Sequence, residues 1–325
     1  MRVLLVSQDF PPDIGGIQTY SLELAKRLVR WCDALEVVAP VAPDCEQLDR
    51  TLPFEVHRVR SSTDALVARG APAIWRRAWQ GRHDVALHAQ WTTAPGSLMA
   101  RRTGRPRRVF VAAHGRELLL RPAQRIPVAQ RLYDAARRRV LHGVDGIFAV
   151  SRYTAGLARD LGVNPGRIHV VPNGVDADRF SLPDASARAR RFRERHGLGD
   201  RPCFITVARL MPHKGIDSGI RALPRLREQV PGATYVVVGS GPDQSRLETL
   251  ARDLGVAEHV RLLGRLPDDE VVDALIAADV FALLSRESIP DVEGFGLVLL
   301  EAGACGTPVI GARSGGIPDA VAEGD

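Results

Sequence analysis

The stretch 293-EGFGLVLLEAGACGTPVIGARSGGIPDAV-321 reads as a turn, a helix, a strand and a second turn in direct succession. Gly294-Phe295-Gly296 makes the turn, residues 297–305 have helical length with few breakers, and 307–310 read as a buried strand. A helix running into a strand is the repeating unit of a parallel α/β sheet. A glycine-rich turn feeding a helix N-terminus aims backbone N–H groups at one point, where anions bind. Glu301 lies among Leu299, Leu300, Ala302 and Ala304, where an unpaired charge is strongly disfavoured. It needs a partner: a core arginine, backbone N–H groups, or the vicinal diol of a ribose. Phosphate at the turn and ribose at the glutamate together suggest a nucleotide.

The same alternation extends outward. Candidate strands are 3–6, 35–39, 85–88, 109–113, 146–150 and 169–171; after an Arg-rich amphipathic helix at 185–196 the pattern restarts at 204–208, 234–238, 260–263, 280–283 and 308–310. Strands alternating with helices predict parallel sheets covered on both faces, and the restart predicts two of them. Pro172-Asn173-Gly174 and Gly197-Leu198-Gly199 punctuate the boundary. The expected organisation is an N-terminal Rossmann-like domain over 1–178, a connecting segment over 179–198 and a second Rossmann-like domain over 199–325. Ligands bind beyond the carboxyl ends of parallel strands, so two facing sheets would place a site in the cleft between them.

A chain of 325 residues, 45% hydrophobic and 25% charged, has the composition of an ordinary globular protein and the length for two cores. No apolar run approaches the ~18 residues of a spanning helix, and MRVLLVSQDF is too short an apolar opening for a signal peptide. Cys32, Cys45, Cys203 and Cys305 have no metal-ligand spacing, as expected of reduced cytosolic thiols. Charge is concentrated: residues 68–140 hold 16 arginines and no lysine against Asp84, Glu117 and Asp134. Such a field suits an anionic partner. The blocks 101–108 and 137–139 lack the interleaved aromatics that stack bases, so no nucleic acid is expected. An anionic membrane surface is the favoured partner, with a merely solvated arginine face as the alternative.

Four further loops follow strands. Gly15-Gly16 precedes a helix and allows close backbone approach, or makes an ordinary turn; no G-x-G-x-x-G follows the first strand. His114-Gly115 stands just past a strand, either a hydrogen-bonded turn residue or a site residue. Arg209 and Lys214 share one loop; a planar fork and a point charge suit a diphosphate, though two solvated cations would look the same. Gly239-Ser240-Gly241-Pro242 reads as a turn with Pro at a helix start. Asp176-Ala177-Asp178 matches an Asp-x-Asp metal motif in letters only, at a position suited to turns and caps. No metal is expected.

Together these segments resemble the retaining glycosyltransferases of the GT-B class, in particular the large family of bacterial mannosyl- and glucosyltransferases. The matching pieces are GG at 15–16, HG at 114–115, VSRYTAG at 150–156, VPNGVD at 171–176, ARLMPHKGID at 208–217, VGSGP at 238–242 and the opening stretch. Residues 284–310 look closest to phosphatidylinositol mannosyltransferases. The resemblance implies that Arg209 and Lys214 bind the donor diphosphate and Glu301 the ribose hydroxyls. It places Glu293 at the donor sugar, with the amides around Gly294, Phe295, Gly296 and Leu297 on sugar and phosphate. It sets His114 against the sugar and Gly16 by the phosphate on the acceptor side. It implies metal-independent transfer of a hexose, mannose from GDP-mannose by preference, to a lipid or glycan hydroxyl, with retained configuration and no cofactor. A cytoplasmic location, or a peripheral one at the inner face of the cell membrane, goes with that reading. The alternatives are a sugar-nucleotide epimerase of the same fold and a non-catalytic nucleotide-sugar binder. Family members usually continue past the SGG-x-P-[DE] segment, so a C-terminally shortened second domain is expected.

Overall fold

The computed structural model describes residues 1–60, 70–122 and 125–322. The chain divides into two compact units, Met1–Pro172 and Asn173–Asp325.

In the first unit seven parallel strands lie in the order β3-β2-β1-β4-β5-β6-β7: β1 (Arg2–Val6), β2 (Ala34–Pro40), β3 (Glu55–Val59), β4 (Val85–His88), β5 (Arg108–Ala113), β6 (Gly146–Ala149) and β7 (Ile168–Val170). Successive side chains of β1 serve opposite faces. Leu4 and Val6 join Ile74, Ala78, Val109, Val111 and Leu141, while Val3 and Leu5 join Phe10, Ala25, Leu35 and Val37. Both faces of β1 are dry, which explains its unbroken apolar run from Val3 to Val6.

β3 is the strand that the sequence reading does not contain. Its residues, EVHRV, are mostly charged or polar because it is an edge strand. Arg58 reaches Asp49 at 2.8 Å and the carbonyl oxygens of Pro40 and Pro11 at 2.9 and 2.7 Å, and so ties the edge down with polar contacts.

In the second unit five parallel strands lie in the order β10-β9-β8-β11-β12: β8 (Cys203–Val207), β9 (Thr234–Val238), β10 (Val260–Gly264), β11 (Val280–Leu283) and β12 (Val309–Gly311). Ile205, Val236, Val238, Phe281 and Leu283 pack on one face with Leu299 and Phe192; Tyr235 and Val237 pack on the other with Leu210, Ile220 and Leu247.

Residues 179–198, read from sequence as a connection, are built into this second unit. Their helix Ala185–Arg195 buries Phe192 in its core, and Arg193 and Arg195 reach the Ala277 carbonyl and Glu270 at 2.8 and 2.9 Å. The amphipathic pattern of that helix is thus the mark of a packed element.

Each sheet has one switch point, where the strand order reverses: between β1 and β4, and between β8 and β11. The loops leaving the carboxyl ends of those strands are where this architecture binds ligands.

Candidate active site

Two loops meet at the switch point of the second sheet. One leaves β8 and carries Arg209 and, after a short 3-10 turn at Pro212–Lys214, Lys214. The other leaves β11 and carries Ser285, Arg286 and Glu293 before the helix Leu297–Ala304. Lys214 Nζ donates to Glu293 Oε2 at 2.6 Å, with only 17% and 15% of the two side chains exposed. Ser285 Oγ donates to the same oxygen at 3.4 Å. Arg209 is exposed, and no hydrogen bond or ion pair joins its guanidinium to a described residue.

Backbone contacts explain why the loops approach so closely. Gly215 has φ 70°, and a Cβ there would stand 1.8 Å from the Leu284 carbonyl oxygen, so only glycine fits. Gly315 has φ 55°, and its Cβ would stand 2.3 Å from the Glu293 carbonyl oxygen, which accepts from Gly316 N at 2.8 Å. The SGG turn therefore backs Glu293. The 239–242 turn is a brace of the same kind: Leu210 N donates to Ser240 O at 3.0 Å, and Asp243 N to Leu210 O at 3.2 Å.

A staple that the sequence reading did not single out joins the two loops. Arg286 Nη2 donates to both Asp217 oxygens at 2.9 Å and to Pro212 O at 3.0 Å, while Arg286 N donates to His213 O at 2.8 Å. Despite burial, Arg286 and then Arg246 hold the Asp217 carboxyl below the usual range. Burial and the adjacent Lys214 hold the His213 imidazole below its ordinary value.

The helix Leu297–Ala304 starts at Gly296, and no side chain caps it. Phe295 is buried, so this segment offers a ligand its backbone. Glu301 is half-buried, one turn along, and burial raises its pKa. No hydrogen bond or ion pair reaches its carboxylate from the described residues; Arg179, whose charge acts on it, is paired with Asp268 at 3.1 Å. A core arginine or backbone partner is therefore not what satisfies it. A carboxylate left this way suits two adjacent hydroxyl donors.

In the first unit, the loops after β1, β4 and β5 form a second polar cluster. His114 follows β5; burial pushes its pKa down to about 4, and its ring is hydrogen-bonded to the Ala89 backbone. Its Nε2 is buried without a partner, and Tyr20 packs edge-on at 4.7 Å. Glu117 accepts from the His114 and Gly115 amides at 2.7 and 3.3 Å, which fixes the turn. Gln90 Nε2 donates to Asp9 at 2.9 Å, leaving Gln90 Oε1 buried and unpartnered. Gly16 opens the helix Gly16–Leu28, and a Cβ on it would meet nothing within 4 Å, so its lack of a side chain leaves open space.

Two groups stand out among the arginines of 68–140; Arg69 lies outside the described residues. Arg101 and Arg108 each meet Asp145 at 2.8 Å, and Arg105 meets Asp84. That set is ion-paired at the amino ends of the strands, opposite the ligand-binding edge. Arg125, Arg131, Arg138 and Arg139 are exposed on or beside the helix Pro127–Gly143, together with Ile126, Val128 and Leu132. Among the described residues the one grouping with metal-ligand geometry is Glu36, Glu55 and His57, into which the Arg77 guanidinium already reaches. Asp176 and Asp178 are not in it.

A family model described as Glycosyltransferase Family 4 matches residues 14–179, and one described as Glycosyl transferases group 1 matches 189–325. The chain is a family 4 glycosyltransferase of the GT-B class. This glycosyltransferase is 41% identical, over 99% of its length and 83% of the relative's, to the GDP-mannose-dependent alpha-(1-6)-phosphatidylinositol monomannoside mannosyltransferase of Mycolicibacterium smegmatis. It is 33% identical, over 98% of its length and 82% of the relative's, to the GDP-mannose-dependent monoacylated alpha-(1-6)-phosphatidylinositol monomannoside mannosyltransferase of Corynebacterium glutamicum. Among solved structures, Anabaena HepE in complex with UDP-glucose matches with a TM-score of 0.77 at 20% identity, covering 99% of this chain and 83% of that one. The catalytic domain of starch synthase IV from Arabidopsis thaliana, bound to ADP and acarbose, matches with a TM-score of 0.77 at 19% identity, covering 99% and 85%. At such identities the likeness is one of fold.

Proposed function

We propose that this glycosyltransferase moves mannose from GDP-mannose to a hydroxyl of a mannosylated phosphatidylinositol, retaining anomeric configuration and using neither metal nor cofactor. The observation that carries the reading is the set of groups around the second switch point. Two cations, Arg209 and Lys214, leave β8, and the turn and helix beginning at Gly294 offer backbone amides. Glu301, one helical turn on, has no hydrogen-bond or ion-pair partner among the described residues. That set suits a nucleoside diphosphate: guanidinium, ammonium and amides on the phosphates, and the carboxylate on the ribose diol. The names of relatives sharing 33–41% of their residues over nearly the whole chain supply the base, the sugar and the acceptor class.

Cleaving the sugar–phosphate bond adds a further negative charge on the terminal phosphate of the diphosphate, which Arg209 and Lys214 stabilise more strongly as it develops. In the retaining scheme the acceptor hydroxyl attacks from the face the diphosphate leaves, and a phosphate oxygen takes its proton. Glu293 then serves the sugar hydroxyls. In the first unit, neutral His114 offers its unpartnered Nε2 as an acceptor for a hydroxyl, and Gly16 leaves room for an acceptor phosphate at a helix N-terminus.

The helix Pro127–Gly143 docks the enzyme on an anionic bilayer at the inner face of the membrane. Val128 and Leu132 lie one turn apart, flanked by exposed arginines, the pattern of a helix lying in the lipid interface. No helix among the described residues is long and apolar enough to cross a membrane.

Incubating the protein with GDP-mannose, UDP-glucose or UDP-N-acetylglucosamine and phosphatidylinositol monomannoside in vesicles tests the reading. The expected product is a dimannoside formed only from GDP-mannose, with an α linkage by NMR and undiminished yield in EDTA. An inverted linkage, loss of product in EDTA or preference for another donor refutes the corresponding part.

A further inference from the structure

In the free protein the ammonium of Lys214 is already occupied by Glu293 at 2.6 Å, and both side chains are mostly buried. A diphosphate bound at Lys214 competes with that carboxylate for the ammonium and repels its charge, which favours its displacement. Once displaced, Glu293 keeps among the described residues only the 3.4 Å contact from Ser285 Oγ, and it faces the incoming negative charge. His213, beside Lys214, is held toward its neutral form by burial and supplies no replacement cation. A buried carboxylate stripped of its cation is strongly disfavoured unless new donors reach it.

Resting on the reading that Lys214 binds the donor diphosphate and Glu293 faces the transferred sugar, we propose that Glu293 is an internal competitor for Lys214 that discriminates the sugar-bearing donor from the bare nucleotide product. The donor brings sugar hydroxyls that take over the displaced carboxylate, so exchanging one partner for another leaves both charges satisfied. The product diphosphate brings none. After transfer the carboxylate is orphaned, returns to Lys214 and drives the nucleotide out. The same group thus holds the site shut to free nucleoside diphosphate and hastens its release.

Titration calorimetry of the native chain and of Glu293→Gln with GDP and with GDP-mannose tests this. The native protein is expected to bind GDP-mannose about tenfold or more tightly than GDP. Glu293→Gln, which is isosteric and leaves Lys214 without its internal anion, is expected to bind GDP about tenfold or more tightly than the native protein, to release it more slowly in stopped flow, and to lose the preference for the sugar nucleotide. Native protein that binds GDP as tightly as GDP-mannose overturns the proposal without any variant. So does Glu293→Gln that is folded by circular dichroism yet binds GDP no more tightly. Lys214→Ala separates the two levels. If it binds GDP like the native protein, the assignment of Lys214 to the diphosphate falls and the competitor role with it. If it binds GDP weakly while Glu293→Gln is unchanged, only the competitor role falls.

Discussion

Arg286 grips Asp217 with one nitrogen 2.9 Å from each carboxylate oxygen, although the two residues stand 69 positions apart, one on a loop and the other at a helix start. The pair is the point at which the Lys214 loop is locked to the Glu293 loop, since the same guanidinium also holds the Pro212 carbonyl. Catalytic groups placed on loops keep their geometry only when something rigid supports them. Asp217 sits in the first turn of the helix Ile216–Gln229, where its charge also suits the helix dipole.

Arg286→Ala is therefore expected to lower kcat/KM by about tenfold to a hundredfold, because sub-ångström misplacement of Lys214 and Glu293 is enough to cost that much. Asp217→Asn should destabilise the second unit by about 1–3 kcal/mol, less than for a fully buried pair because Arg286 is half exposed. The folded-state pKa of Asp217 is lowered, so its contribution is present above the unfolded pKa and fades as pH falls through the folded one. Native and Asp217→Asn stabilities should then converge in strong acid and differ most near neutrality. Thermal unfolding between pH 3 and 8 measures this; a constant gap would show that the pair does not act through charge.

Glu301 should show the opposite sign. Burial raises its pKa in the folded state, so ionisation opposes folding, and this penalty grows as pH rises through the raised value. Glu301→Gln is expected to unfold at a higher temperature than the native protein at pH 7–8 and at the same temperature below pH 4, while binding the donor less tightly. A residue whose removal stabilises the fold but weakens binding is held for the ligand. Differential scanning calorimetry with and without GDP checks both halves, and a variant destabilised at pH 8 would assign Glu301 a structural partner.

Arg209→Ala and Lys214→Ala are each expected to lower kcat by about 10²–10³-fold, the usual loss when one group that stabilises a developing negative charge is removed. Because Lys214 is tied up with Glu293 in the free protein and Arg209 has no ion pair to a described residue, the two variants should differ in stability. Lys214→Ala leaves a buried carboxylate unpaired and should lower Tm; Arg209→Ala should leave it unchanged. Steady-state kinetics and thermal unfolding together decide.

Burial pushes the His114 pKa down to about 4, so the ring is neutral above about pH 5.5. The kcat/KM profile should carry no inflection from it between pH 5.5 and 8. His114→Asn should keep the shape of the native profile at a level lowered about tenfold or more, as for loss of a buried hydrogen bond that strengthens in the transition state. An inflection near 6.5 that disappears in the variant would mean that the ring is protonated and acts as an acid.

What was legible in the sequence followed from local physics. Central parallel strands must be apolar on both faces and could be read from their runs, as could the edge strands β7, β10 and β12, which keep apolar residues; β3, a mostly polar edge strand, could not. Arg209, Lys214, Glu293 and Glu301 stood out because charges beside glycine turns or inside an apolar helix call for an explanation. What the sequence could not show was pairing. Lys214 and Glu293 are 79 residues apart, and nothing in either segment says that the first contact each makes is with the other. The Asp217–Arg286 staple and the Glu117 brace on His114 were hidden for the same reason. A charged residue in a polar loop reads as solvated until the fold brings its partner beside it.

The arginine-rich segment illustrates this most directly, because its block of highest charge density, 101–108, turns out to be largely spoken for by Asp84 and Asp145. Exposed arginines without an ion pair to a described residue lie instead along the helix Pro127–Gly143, beside Val128 and Leu132, which are 66% and 67% exposed. If that face meets lipid, both its apolar and its cationic parts contribute. Leu132→Glu should weaken binding to phosphatidylinositol-containing vesicles at every ionic strength, because a carboxylate cannot enter the interface. Arg131→Glu with Arg138→Glu should weaken it at low salt by about 1 kcal/mol or more per charge, and little at 0.5 M salt, where the field is screened. Reversal of Arg101 and Arg108 should cost stability and leave vesicle binding in place, since those guanidiniums are held by Asp145. Vesicle co-sedimentation across a salt series separates these outcomes; equal loss from both arginine pairs would mean that net charge alone, and no particular helix face, brings the protein to the bilayer.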